Sequence, residues 1–259
     1  LFDDNKVLEA VLNGDIQLAA PSLSKFEKFT KKYRVFDLPF LFDNIEAVDR
    51  FQRSETGIKL KQAMVRRGLT GLAFWHNGMK QLSANRPLML PADAEGLKFR
   101  VQSSDVLVAQ FTTLGANPQK MAFKEVYGGL QTDVIDGQEN TWSNIYGKKF
   151  FEVQDGITET NHGVIDYLLV TSSEWWNSLD TGTRERLQAI IDEVTEERNL
   201  ESHRINLQNR KNIIASGGVV RTLTAEQRAQ WVSALQPVWS KFENDIGSDV
   251  IAAAISAND

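Results

Sequence analysis

A chain of 259 residues with 42% hydrophobic residues can bury a substantial core, and its length permits one large domain or two ordinary ones. The formal net charge of -5, without any run of lysine and arginine, argues against binding to nucleic acid or to an anionic membrane surface. Cysteine is absent, which excludes disulfides and cysteine metal sites. No apolar stretch is long enough to predict a membrane span.

The first half of the chain alternates predicted helices with predicted strands. A helix over residues 5–13 precedes a strand through residues 16–20. A second strand is predicted over residues 72–74, and a third begins at Leu97 and is followed by a helix over residues 106–114. This alternation predicts an α/β fold in which helices cover a sheet.

The next predicted elements are a strand over residues 120–122 and a short helix over residues 124–131. With these boundaries, Arg100, Phe123 and Asn140 all lie near junctions between a strand and a loop. Side chains at such junctions are well placed to meet a ligand.

The stretch from residue 183 to about residue 216 lacks proline and carries apolar residues among dense charge. This pattern predicts one helix of about 50 Å, long enough to bridge two lobes. Two consecutive helices with a break near Asn199 remain an alternative.

The C-terminal part is predicted to contain a strand over residues 219–223 and a helix behind it. Thr224 and Gln227 have the spacing of a capping box. The last helix is expected to bend or restart at Pro237, because proline lacks the amide hydrogen that a helix interior needs.

Arg100 is the first candidate binding residue. Phe99 and Val101 alternate with Lys98 and Arg100 on the predicted strand, and capping oxygens for the helix that follows are offered by Ser103, Ser104 and Asp105. A planar guanidinium grips a carboxylate with two parallel hydrogen bonds, and a nearby helix N-terminus adds positive potential. The alternative is an ordinary solvated arginine.

Catalytic and metal-binding motifs are missing from the sequence. The three histidines are His76, His162 and His203, and no histidine spacing typical of a metal site occurs. The sequence also lacks a GxSxG elbow and the glycine-rich phosphate-binding motifs. We therefore predict neither a metal nor a cofactor, and an enzyme would lack an evident nucleophile.

Trp142 is a candidate for a cavity wall. It lies two residues beyond Asn140, and side chains two apart on an extended segment share a face. Packing in the core is an equally good interpretation. Trp175 and Trp176 are more typical of core or interlobe packing.

Several short segments of the sequence resemble those of a known protein family. They are Ala20–Phe26, Asp37–Phe42, Gly96–Val101, Leu114–Pro118, Phe123–Tyr127 and Asp136–Tyr146. Together they resemble the DctP-type extracytoplasmic solute receptors of tripartite ATP-independent periplasmic (TRAP) transporters. The run from Asn140 to Tyr146 is most similar to the C4-dicarboxylate branch, which takes succinate, malate and fumarate.

The resemblance implies a two-lobed, periplasmic-binding-protein-like α/β fold with a hinge and a long interlobe helix. We expect lobe I to comprise residues 1–77 and 166–205, and lobe II residues 78–165 and 206–259. Family members carry a further strand-helix-strand unit before the position of Leu1. We therefore expect the sequence either to be a fragment or to lack an unrecorded leading portion.

The resemblance also implies roles for four residues. An arginine matching Arg100 grips the ligand carboxylate, an asparagine matching Asn140 hydrogen-bonds it, and an aromatic matching Phe123 lines the pocket. Ser22 is the candidate residue for binding the second carboxylate of the ligand.

A further cluster implied by the resemblance consists of Lys80, Glu139 and His162. Some relatives carry arginine at the position of Lys80, which as a lysine offers only a point charge. Our hypothesis is that the cluster helps to hold a closed state, because desolvated opposite charges attract strongly. The alternative is a static salt bridge at the hinge.

The implied function is that of a periplasmic receptor, not an enzyme. It would close on a C4-dicarboxylate and deliver it to the small and large membrane subunits of a TRAP transporter, without itself being embedded in the membrane. A receptor of the same fold for another carboxylate, such as a sugar acid, sialic acid, aromatic acid or keto acid, remains an alternative. A second alternative is an enzyme that acts on small organic acids.

Overall fold

The computed structural model describes residues 2–259, which form a mixed α/β fold. The strands are β1 (Leu18–Ala19), β2 (Leu69–Ala84), β3 (Lys98–Val101), β4 (Asn117–Lys120), β5 (Gly137–Thr141), β6 (Gly156–Glu159), β7 (Val164–Ser172) and β8 (Val220–Thr222). The α-helices are α1 (Val7–Leu12), α2 (Ile45–Arg53), α3 (Glu55–Lys61), α4 (Asp105–Thr113), α5 (Val126–Gln131), α6 (Trp142–Gly147), α7 (Ser173–Ser178), α8 (Thr181–Ala215), α9 (Ala225–Leu235), α10 (Pro237–Ile246) and α11 (Ser248–Ser256). Short 3₁₀ helices cover Leu23–Phe26, Lys32–Asp37, Val65–Arg67, Pro91–Ala94, Phe123–Glu125 and Phe150–Val153.

The long strand β2 joins two parts of one sheet. Hydrogen-bonded neighbours follow the order β1-β7-β2-β5-β3-β4, with β6 pairing to β2 and β8. Residues 69–79 of β2 pair antiparallel with β7, whereas residues 80–84 pair antiparallel with β5 and residues 82–84 also with β6. In contrast, β3 pairs parallel with both β4 and β5. The predicted α/β class is confirmed.

Helix α8 is continuous over 35 residues and packs along β2 and against α6. Asn199 does not interrupt it. The Asn199 side chain instead ties the helix to β2, because Oδ1 accepts from the His76 amide (2.8 Å) and Nδ2 donates to the Phe74 carbonyl (3.2 Å). The single long helix is confirmed, and the alternative with a break is wrong.

The C-terminal predictions are also confirmed. The Gln227 amide donates to Thr224 Oγ1 (3.2 Å) and the Thr224 amide donates to Gln227 Oε1 (2.9 Å), which forms the capping box. Helix α9 ends at Leu235, and α10 starts at Pro237. Helix α10 contacts both the 3₁₀ helix Lys32–Asp37 and α4, so it touches both predicted lobes.

The strand predicted over residues 120–122 is misplaced, because β4 runs from Asn117 to Lys120. This strand lies at the edge of the sheet and is largely exposed. A strand that is exposed at the edge of a sheet need not alternate apolar with polar residues. The hydrophobic periodicity of the sequence therefore does not predict it.

Three groups of apolar side chains form the interior. The largest lies between the sheet and the helices α2, α4 and α9 to α11. A second surrounds α5 and α6 and includes Trp142, while a third contains Trp176 and packs β2 and β7 against α8. Core packing of Trp176 matches the prediction. No helix within residues 2–259 has the length and apolar character needed to cross a bilayer.

Candidate functional site

A small polar cavity lies beside the carboxyl ends of β3 and β5. Its volume is about 30 Å³. The lining residues are Asp4, Ser22, Arg100, Gln102, Phe123, Asn140, Asn144, Ile165 and Tyr167. Four of the predicted ligand-binding residues, namely Arg100, Asn140, Phe123 and Ser22, therefore meet at one place.

Arg100 is positioned by β3, which is hydrogen-bonded on both sides by β4 and β5. The side chain is only 2% exposed, its Nε donates to the Met121 carbonyl (3.0 Å), and its guanidinium lies 5.9 Å from the Phe123 ring centroid. Burial lowers the pKa of Arg100 to about 10, while the negative charges of Glu139 and Asp4 oppose this shift. The group is therefore still charged at neutral pH.

Arg100 makes no ion pair within the described part of the chain, because no carboxylate there lies within 4.0 Å of its side-chain nitrogens. A buried charge without a partner is costly for a fold. An anion in the cavity would supply that partner.

Asn140 presents a hydrogen-bond donor to the cavity. Its Oδ1 accepts from Asn144 Nδ2 (2.7 Å) and from the Thr141 amide (3.3 Å). These bonds fix the orientation of the amide, and Nδ2 then has no acceptor among residues 2–259. A carboxylate oxygen is a suitable acceptor for it.

Ser22 is already engaged within the protein. Its hydroxyl donates to Gln102 Oε1, which leaves the Gln102 Nε2 as a donor at the cavity. Tyr167 accepts from Asn77 Nδ2 (2.5 Å), and burial raises the pKa of the Tyr167 phenol, so it stays neutral and keeps its own proton to donate. Beside the Asp4 carboxylate, the wall thus presents several donors, which are the groups that bind an anion.

Five of the residues that line the cavity were not predicted from the sequence: Asp4, Gln102, Asn144, Ile165 and Tyr167. Two of them carried a usable signal. Gln102 lies two residues after Arg100 along an extended segment, and Asn144 lies four residues after Asn140, in the first turn of the helix that follows β5. The others are brought in by tertiary packing, including the bridge between Ser22 and Tyr167.

Trp142 lies outside this cavity. It is the first residue of α6, where the face-sharing rule for extended segments no longer holds, and it packs in the core around α5 and α6. Its ring lies 5.7 Å from the Arg210 guanidinium and lines a separate cavity of about 210 Å³ along α8. The structure thus fits the interpretation of Trp142 as a core residue.

Lys80, Glu139 and His162 form a buried cluster that does not line the cavity. Lys80 Nζ lies 2.8 Å from Glu139 Oε1, and His162 Nε2 lies 2.7 Å from Glu139 Oε2. All three side chains are at most 2% exposed. The cluster connects β2 and β5 with the segment before β7, directly behind the cavity wall that Asn140 provides.

The charges of this cluster follow from its geometry. Burial alone would raise the pKa of Glu139, but Lys80 and His162 outweigh it and lower that pKa to about 2. Burial lowers the pKa of His162, although Glu139 acts in the opposite direction. A neutral His162 donates from Nε2 to Glu139 and accepts at Nδ1 from Thr160 Oγ1 (2.7 Å).

Comparison with known proteins agrees with this architecture. The profile of the family described as bacterial extracellular solute-binding protein, family 7 (DctP), matches residues 1–245. The C4-dicarboxylate-binding periplasmic protein DctP of Vibrio cholerae is 70% identical over 258 residues, which cover 100% of this chain and 78% of that protein.

Two solved structures extend the comparison. A TRAP periplasmic solute-binding protein from Shewanella oneidensis with bound succinate superposes with a TM-score of 0.99 at 52% identity, covering 100% of this chain and 85% of that one. A counterpart from Pseudomonas aeruginosa with bound L-malate gives a TM-score of 0.91 at 45% identity, covering 93% of this chain and 84% of that one.

The fold and the cavity, taken with these relatives, define a solute-binding protein. The chain belongs to family 7 of the bacterial extracellular solute-binding proteins, the DctP family.

Proposed function

We propose that this chain is the periplasmic receptor of a TRAP transporter and that it binds a C4-dicarboxylate such as succinate, malate or fumarate in the cavity around Arg100. The observation that carries the proposal is the buried Arg100, charged and without an ion-pair partner in the described chain, beside the Asn140 amide donor. The named ligands of the Shewanella and Pseudomonas relatives support the choice of a four-carbon diacid.

Energetics require more than one anchor. Micromolar affinity corresponds to about -8 kcal/mol, whereas a hydrogen bond to a charged group contributes about 1.5 to 3 kcal/mol net. Arg100 alone therefore does not suffice. Asn140, Gln102 and Tyr167 add donors around one ligand, and a second carboxylate needs a further partner.

Closure is part of the proposed mechanism. In this proposal, residues 1–77 and 166–205 form one lobe, residues 78–165 and 206–259 form the other, and ligand binding stabilises the closed arrangement. Strand β2 and helix α8 run through both parts and are the continuous elements about which they would move. Moving a population from 1:99 to 99:1 closed takes about 5.5 kcal/mol of differential binding.

The receptor is proposed to work without chemistry on its ligand and without a cofactor. It would release the diacid to the small and large membrane subunits. A receptor for a sugar acid, sialic acid, aromatic acid or keto acid is the nearest competing function, because a guanidinium recognises the carboxylate of each of these ligands.

Isothermal titration tests the proposal. Protein refolded to remove carried-over ligand is titrated with succinate, malate and fumarate, and in parallel with sialic acid and an aromatic monocarboxylate. We expect micromolar or tighter binding of the C4 diacids alone. Binding of none of them would remove the ligand assignment, and turnover of a bound diacid would point to an enzyme.

A further inference from the structure

We propose that Arg34 is a positioning residue that slows the release of the bound diacid, because it clasps together two segments that line the cavity. These segments are residues 22–27, in predicted lobe I, and residues 100–105, in predicted lobe II. The inference rests on the proposed function and on its division into lobes. Arg34 does not line the cavity itself and acts only through the segments that it joins.

Both segments run from the cavity to one cluster of charged side chains. Ser22 lines the cavity at the start of the first segment, and Glu27 lies at its end, directly after the 3₁₀ helix of this segment. Gln102 lines the cavity from the second segment, which ends at Asp105, the first residue of α4. A hydrogen bond from Ser22 to Gln102 joins the two segments at the cavity wall. The charged cluster joins them a second time, beyond the cavity.

Arg34 lies at the centre of this cluster and bonds to three carboxylates. Its Nε donates to Glu27 Oε1 (2.7 Å), and its Nη2 lies 3.1 Å from Asp105 Oδ2. The third carboxylate is that of Asp245 on α10, which pairs with Nη1. Arg34 and Glu27 belong to predicted lobe I, whereas Asp105 and Asp245 belong to predicted lobe II. The fork of donors on one guanidinium therefore connects the two lobes.

Glu27 adds a direct bond between the lobes. Its two carboxylate oxygens accept from the backbone amide of Asp105 (3.2 and 3.0 Å), at the N-terminus of α4. An anion is stabilised at a helix N-terminus by the helix dipole and by amides that have no partner within the helix. Arg34 holds Glu27 in this position, since Nε and Nη2 both donate to the same carboxylate oxygen.

Burial strengthens the inner part of the clasp. The side chain of Arg34 is 8% exposed and that of Glu27 is 16% exposed, so water screens their charges little. The Arg34 guanidinium also lies 5.1 Å from the ring centroid of Phe242. The Asp105 side chain is 57% exposed and also pairs with Lys120 (2.9 Å). The pair between Arg34 and Asp105 is therefore the weaker and more salt-sensitive part.

The clasp affects release because the ligand's anchor is buried. The Arg100 side chain is only 2% exposed, so a ligand bound to it leaves after the segments that line the cavity separate. This separation breaks the pair between Arg34 and Asp105 and the bond from the α4 amide to Glu27. Association starts from the separated state, in which these bonds are absent. The clasp therefore slows dissociation and leaves the association rate nearly unchanged.

Stopped-flow fluorescence measures both rates for succinate, with the six tryptophans of the protein as the signal. Arg34→Gln should raise the dissociation rate by roughly tenfold or more and change the association rate by less than about twofold. Arg34→Lys should fall between this variant and wild type, because lysine keeps a point charge only. Asp105→Asn removes one partly exposed partner and should raise the dissociation rate about threefold.

Salt provides a second readout, which a purely structural role of Arg34 would not change. Higher sodium chloride concentration should raise the dissociation rate of wild type, since screening weakens the pair between Arg34 and Asp105. Asp105→Asn lacks this pair, so its dissociation rate should respond less to salt.

The matched control is Arg210→Gln. Arg210 pairs with Glu159 through Nε and Nη2 (2.9 Å each), and both residues belong to predicted lobe II. The variant thus removes an ion pair of similar geometry that does not connect the two lobes. We expect it to lower the free energy of unfolding in urea and to leave both rates for succinate unchanged.

The outcomes distinguish failure of the clasp from failure of the proposed function. If wild type binds succinate and folded Arg34→Gln and Asp105→Asn dissociate at the wild-type rate, the role of Arg34 is overturned and the proposed function stands. An equal increase in Arg210→Gln also overturns that role, because lost stability would then explain the effect. Wild type that binds no C4 diacid overturns the proposed function and this inference with it. If Arg34→Gln does not fold, Asp105→Asn and the salt dependence of wild type decide.

Discussion

Arg100 and Asn140 lie on neighbouring parallel strands and line the same cavity, although forty positions separate them in the sequence. Arg100 of β3 and Gln138 of β5 are register partners, and Asn140 lies two residues beyond Gln138. Because side chains two apart on a strand point to the same side, the pairing aims the guanidinium and the amide at one space. The chemistry of the proposed site depends on this register.

Arg100→Ala should weaken succinate binding by at least about 100-fold, because it removes the charge and the paired hydrogen bonds together. Arg100→Lys should fall between this variant and wild type, since lysine keeps a point charge only. Isothermal titration provides the measurement, and Arg66→Ala, at an exposed position, is the control. Retained affinity in Arg100→Ala would show that the ligand binds elsewhere.

Asn140→Asp tests the amide donor with little change in shape. The variant keeps an oxygen for Asn144 but replaces the free Nδ2 donor with a second oxygen that repels an anion. We expect succinate affinity to fall about 100-fold at pH 7. Asn117→Asp, on the exposed strand β4, adds the same charge away from the cavity and should change affinity little. Equal effects of the two variants would contradict a direct role for Asn140.

Glu139→Gln tests whether the buried cluster supports closure. Removing the carboxylate leaves the Lys80 charge without its partner, at a cost of about 3 to 5 kcal/mol in the free energy of unfolding. We also expect weaker succinate binding and a smaller ligand-induced change in small-angle scattering. Urea unfolding, titration and scattering measure the three effects.

The control for Glu139→Gln is Glu159→Gln. Glu159 pairs with Arg210, but its side chain is 21% exposed, so its loss should cost clearly less stability. If Glu139→Gln lowers stability but leaves both affinity and scattering unchanged, the cluster is a static salt bridge and has no part in closure.

His76 gives a pH-dependent contribution to stability. Burial would lower its pKa, but Asp166 (2.7 Å from Nδ1) and Asp49 (3.3 Å from Nε2) raise it from 6.5 to about 10. Because the folded pKa is above the unfolded value, this stabilisation is fully present below pH 6.5 and is lost as the pH rises toward 10.

Comparison of wild type with His76→Gln measures this contribution. The difference in free energy of unfolding should be on the order of 2 kcal/mol at pH 6 and should shrink as the pH approaches 9.5. Urea unfolding at both pH values is the measurement, with His203→Gln, an exposed position on α8, as the control. A difference that stays constant with pH would mean that His76 is not the titrating group.

Much of the fold was predictable where local chemistry dominates. The capping box at Thr224, the restart at Pro237 and the single helix α8 follow from residue types within a few turns of each other. Arg100 and Asn140 were predicted for a different reason, because both lie near the ends of strands in sequence segments that resemble those of a known family.

The sequence by itself determined the α/β class, the long helix and four of the residues that meet at the cavity. Each of these depends on a local pattern of residue types or on a distinctive sequence segment. The tertiary structure alone decided that Tyr167 and Asp4 join the wall and that Trp142 does not. Those outcomes depend on how β7 and α6 pack and on the exact residue where β5 becomes a helix. Long-range pairing of this kind is fixed by the burial of many side chains at once, which no short stretch of sequence specifies.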